Sequence, residues 1–148
     1  MQHFAVLAPP FPSHISALEA LASQLIERGH AVTWFHQADA RTFLLNQRIS
    51  FCAFGNQSHP AGSLTAMLKR ATRPGGLTGL RRVIADIAAN TAMLCKEAPQ
   101  AMCDFKITAV IANQMKAAGG LVAAALRLPF ISVACALPVN VKLQYRCK

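Results

Sequence analysis

Short apolar runs alternate along this chain with longer stretches in which apolar residues return every three or four positions. The first run, HFAVL at 3–7, leads into a loop at 8–13, where Pro9, Pro10 and Pro12 forbid continuous helix or a central strand. Leu18, Leu21, Ala22, Leu25 and Ile26 then share one face of a predicted helix. Ser16, with Glu19 three positions on, has the form of a capping box and sets the expected start near Ala17. Gly29 supplies the stop. Further strands are predicted at 30–35, 49–54, 109–112 and 130–135. Between them lie a short helix over 40–46 capped by Asp39, helices over 63–71 and 77–95, and a small-residue helix over 117–126. In the helix over 77–95, Leu80, Val83, Ile84, Ile87, Ala88, Thr91 and Leu94 fall on one side, and Pro99 lies close to its end.

Strands that alternate with helices predict an α/β fold, a Rossmann-like parallel sheet with helices on both faces. Residues 1–138 read as one domain. Residues 139–148, VNVKLQYRCK, are polar, basic and without period, and read as a tail outside the fold.

Composition adds limits. The chain has 148 residues, 53% hydrophobic and 14% charged, so it is long and apolar enough to bury a core. No apolar run approaches the roughly 18 residues of a spanning helix. The opening MQHFAVLAPPFP lacks a basic n-region, and a cytoplasmic chain is expected. The net charge is +9, with Lys69, Arg70, Arg73, Arg81 and Arg82 in one short region. That cluster fits either a solvated basic face or an anionic partner such as lipid headgroups. Without interleaved aromatics it does not suggest nucleic acid. Five cysteines without a CxxC, and five histidines without HxxxH or HExxH, suggest neither a disulfide framework nor a metal site.

The chain has no GxGxxG after the first strand, no GxxxxGK[ST] and no GxSxG. Gly119 and Gly120 lie in a helical pattern and read as a packing contact. What remains is His14, in a loop at a helix entrance. In α/β folds chemistry gathers at the carboxyl ends of the strands, where this loop lies. The positive helix end disfavours imidazolium, and a neutral imidazole could take a proton from a hydroxyl. A loop histidine without a catalytic role is the other reading.

FAVLAPPFPSHISALEALASQLIERGHAVTWF resembles the start of the UDP-dependent glycosyltransferases of two-domain GT-B fold. The segments GNQSHPAGSLT, TAMLCKEAPQA and LPFISVACALPVN are similar to its bacterial zeaxanthin-glucosylating branch, over roughly residues 1–140. The resemblance implies transfer of glucose from UDP-glucose to the ring hydroxyls of a hydrophobic carotenoid, with inversion at the sugar carbon. UDP-glucose is then a donor substrate, and no cofactor is tightly bound. This half of the fold binds the acceptor. His14 matches the general base, and Phe11, Ser13, His59, Gln114, Met115 and Leu137 fall at acceptor-binding positions.

Two departures stand out. Asn113 occupies the position of the family's aspartate that orients the histidine. An amide oxygen can accept the imidazole N–H, but it brings no charge; the alternative reading of Asn113 is a plain strand-end residue. The family is also more than twice this length, with the sugar-nucleotide site mostly in a second domain that this sequence lacks. The expectation is a chain cut short and inactive alone. The region 64–94 is expected to form the lip of an acceptor groove resting on a membrane. Two alternatives stay open: a free-standing Rossmann-like binding module, and a basic domain at a membrane surface.

Overall fold

The computed structural model describes residues 1–73 and 75–135. Five strands, β1 (His3–Leu7), β2 (Ala31–His36), β3 (Ser50–Ala53), β4 (Ala109–Asn113) and β5 (Phe130–Val133), form one sheet in the order β3-β2-β1-β4-β5. Every pairing is parallel, with Phe4 opposite both Val32 and Ala109. Four α-helices connect them: α1 (Pro12–Glu27), α2 (Ser63–Thr72), α3 (Leu77–Asp104) and α4 (Ala117–Leu126). The predicted Rossmann-like fold is therefore the one observed.

Strand alternation divides the core between the two faces of the sheet. Val6, Val32, Trp34 and Ile111 pack with Ile15, Leu18 and Ala22 of α1 on one side. Leu7, Phe35, Val110 and Ala112 pack with Leu94, Ala98 and Met102 of α3 and Val122 of α4 on the other. Gly119 lets α4 lie close on β4, because a Cβ there would stand 2.4 Å from that of Ala112. This is the packing contact expected for the glycine pair.

Three local expectations are corrected. The capping box does not form. α1 begins at Pro12, one position after an extended Phe11, with no side-chain cap. Proline suits the first helical position because it has no N–H to satisfy there. Ser16 and Glu19 thus lie inside the helix, and the Glu19 carboxylate instead accepts the backbone N–H groups of Leu45 and Asn46. Asp39 likewise does not cap its own helix. It sits within a 3₁₀ turn (Ala38–Phe43), and its carboxylate accepts Gly62 N at 2.8 Å and Leu64 N at 3.3 Å, at the entrance of α2.

The third correction shapes the site. α3 runs 28 residues, through Pro99 to Asp104. At about 1.5 Å per residue it is roughly 40 Å long, twice the span of a typical strand. Its second half packs on the sheet through Met93, Leu94, Ala98 and Met102. Val83 and Ile87 of its first half line a cleft with the loops that follow β1 and β4, at the carboxyl ends of those strands. Leu80, Ile84 and Ile87, on the apolar side read from the sequence, are 48%, 57% and 58% exposed.

Candidate functional site

β1 leads to β2 on one side of the sheet, and β4 lies on its other side. The chain therefore diverges at the carboxyl ends of β1 and β4, the switch point where α/β folds place their ligands. Two side chains separated by 99 residues meet there. His14, third in α1, is half-buried. Asn113, last in β4, is 1% exposed. Asn113 Nδ2 and His14 Nδ1 are 2.9 Å apart, and Asn113 Oδ1 accepts the backbone N–H of Met115 at 2.9 Å.

A cleft of about 270 Å³ opens beside this pair. Pro9, Pro10 and Phe11 form one wall, from the loop after β1. Met67 and Ala71 of α2, with Val83 and Ile87 of α3, form the opposite one. Asp86, Asn90, Thr91, Met115 and Lys116 complete it. The lining is mainly apolar, with a polar group at one end. There Lys116 Nζ donates to Asn90 Oδ1 at 2.5 Å, and burial lowers the Lys116 pKa to about 8. Asn90 Nδ2 is buried and, among the described residues, has no partner. His14 is not on the cleft wall, but Phe11, whose ring centroid lies 5.9 Å from that of His14, is.

His36, at the end of β2, belongs to the same neighbourhood. It is 3% exposed, and the backbone N–H of Gln37 donates to its Nδ1 at 2.9 Å. Burial, helped by the charge of Lys116, lowers its pKa to about 3. The ring is neutral throughout the physiological range.

Of the residues singled out from sequence, the structure brings together His14, Asn113, Phe11 and Met115. His59 lines a neighbouring cleft of about 450 Å³ with Ser58, Lys96 and Glu97. The two clefts share Met67 and Asp86, and Asp86 holds Arg70 through a two-pronged ion pair at 2.8 and 3.0 Å. Ser13 is exposed, and Gln114 gives its backbone N–H to Val133 O; neither lines either of these two clefts. Leu137 and the tail at 139–148 lie outside the described residues. Sequence reasoning missed Lys116, Asn90 and His36. The available signal was their placement: Lys116 follows β4 directly, at the switch point.

Among the described residues no group of three His, Cys, Asp or Glu side chains could hold a metal ion. No family model matches the chain. It is 50% identical, over 140 residues and 95% of its length, to a zeaxanthin glucosyltransferase of Pantoea ananas. It is 40% identical over the same share to one of Pseudescherichia vulneris. The chain spans 32% of the length of each. Among solved structures, the glycosyltransferase SnogD of Streptomyces nogalater superposes with a TM-score of 0.64 at 20% identity, over 92% of this chain and 35% of that one. The spinosyn rhamnosyltransferase SpnG, complexed with thymidine diphosphate, does so at 0.64 and 18% identity, over 94% and 36%. Acinetobacter baumannii MurG does so at 0.57 and 21%, over 89% and 34%. Across nearly its whole length, and about a third of theirs, the chain is similar to the zeaxanthin glucosyltransferases, on the Rossmann-like fold of the GT-B glycosyltransferases.

Proposed function

We propose that this chain is the acceptor-binding part of a glucosyltransferase that moves glucose from UDP-glucose to the hydroxyls of zeaxanthin. The observation that carries this is the apolar cleft at the switch point, beside His14 and closed at one end by Lys116 and Asn90. A long hydrocarbon acceptor gains by burying apolar surface between Pro10, Phe11, Val83 and Ile87. Its terminal oxygen can accept from the Lys116 ammonium or the free Asn90 N–H. In the reaction, the acceptor oxygen attacks the sugar carbon, UDP leaves, and the hydroxyl proton passes to a base.

The test uses the chain as it is. Zeaxanthin bound in an asymmetric cleft acquires circular dichroism in its visible band. Val83→Asp puts a carboxylate on the apolar wall and should weaken binding at least about tenfold, from a cost of 1.4 kcal/mol or more. A carotene without hydroxyls should bind about 3–10-fold more weakly, as expected for one lost hydrogen bond. Equal signals from the wild type and Val83→Asp would remove this cleft as the acceptor site.

The first half of α3 supports a second element of the reading, contact with a membrane. Leu77, Leu80 and Ile84 are exposed, and Arg73, Arg81 and Arg82 are exposed close to them in sequence. Among the described residues no helix is long and apolar enough to cross a bilayer. Apolar side chains flanked by arginine suit shallow insertion among anionic headgroups. Through Ile87 this surface is continuous with the cleft, so a lipophilic acceptor could enter from the bilayer. The chain should float with anionic vesicles at low salt and dissociate at high salt; absence of binding at low salt defeats this element.

A further inference from the structure

We propose that Asn113 is a positioning residue that fixes the tautomer of His14, so that its Nε2 is a hydrogen-bond donor and not a base. The functional consequence rests on the acceptor-site reading above. The tautomer rests only on two hydrogen bonds.

The argument starts at Met115. Its backbone N–H can only donate, so the Asn113 atom 2.9 Å away is the amide oxygen. The other end of the amide, 2.9 Å from His14 Nδ1, is then the NH₂ group, which also only donates. Nδ1 must therefore present its lone pair. In a neutral ring the single proton is left on Nε2. Turning the amide over would offer its oxygen to an Nδ1–H, but it would set the NH₂ group against the Met115 N–H, donor against donor. Imidazolium fits no better, because its Nδ1–H would face the same NH₂ group.

The free edge of His14 is thus an N–H. It can donate to the lone pair of a hydroxyl, ether or carbonyl oxygen. It has no lone pair with which to take a hydroxyl proton. As built, the site favours holding an oxygen-bearing apolar molecule over deprotonating it.

The experiment is a long-range proton–nitrogen correlation spectrum of the full chain with labelled histidine, at a pH where the ring is neutral. The expected result is a protonated Nε2 and an unprotonated Nδ1 at His14. In Asn113→Asp the two nitrogens should exchange roles, because a carboxylate accepts from both Met115 N–H and Nδ1–H. A merely structural asparagine would not produce that exchange. A protonated Nδ1 in the wild type, an average of both tautomers, or an unchanged tautomer in Asn113→Asp each overturns the proposal. The wild-type spectrum decides even if the variant does not fold. Because no ligand is needed, failure of zeaxanthin to bind would count against the acceptor site without touching this result.

Discussion

Asn113→Asp should raise kcat by about 10³- to 10⁴-fold when this chain replaces the matching 140-residue stretch of the Pantoea ananas glucosyltransferase. With asparagine the chimaera should be close to inactive. The magnitude comes from the serine-protease triad, where an amide in place of the orienting carboxylate costs about 10⁴-fold through the wrong tautomer. The same exchange of donor for acceptor operates here, between Asn113 Nδ2 and His14 Nδ1. An aspartate would keep the bond to Met115 N–H, accept Nδ1–H, and leave Nε2 with a lone pair. It would also stabilise the imidazolium formed when the acceptor loses its proton. Asn113 lines neither cleft, so KM for the acceptor should change little. A gain below tenfold, or one confined to KM, would mean that His14 is not the group that accepts the proton.

Acidification should destabilise the fold by roughly 3 kcal/mol between pH 7 and pH 4, through His36 alone. Its folded pKa is lowered from 6.5 to about 3 by burial. Below pH 6.5 the unfolded chain takes up a proton that the folded chain refuses. The unfolded state then binds more protons, so stability falls as pH falls, and it continues to fall until about pH 3. Above pH 6.5 this contribution is complete and flat. Since small domains hold only about 5–15 kcal/mol in all, the loss should be plain in urea titrations. His36→Leu removes the titrating group, and its stability should depend on pH less steeply by that amount over the same interval. Parallel losses in wild type and variant would show that other groups govern acid unfolding.

The order of elements was legible because strands and helices differ in apolar period, and that period survives in Phe4–Leu7 and Leu18–Ile26. What the sequence concealed depends on distance. Ser16 and Glu19 are correctly spaced for a capping box, but Pro12 opens the helix earlier and Glu19 is drawn to the loop at Leu45 and Asn46. The apolar side of α3 was read correctly as a side. Periodicity does not say whether anything covers it, and Leu80, Ile84 and Ile87 are exposed. The pairing of His14 with Asn113 was accessible through resemblance. Its polarity was not, since the amide's direction is dictated by a backbone N–H two residues away. His59 was grouped with the acceptor residues, yet Met67 and Asp86 are what connect its cleft to theirs.

The backbone N–H that Met115 turns towards residue 113 can be accepted by an amide oxygen or by a carboxylate oxygen. Asparagine and aspartate codons differ at a single base. A population carrying this gene therefore stands one transition away from the opposite chemistry, in either direction, with the architecture that selection on folding acts upon left untouched.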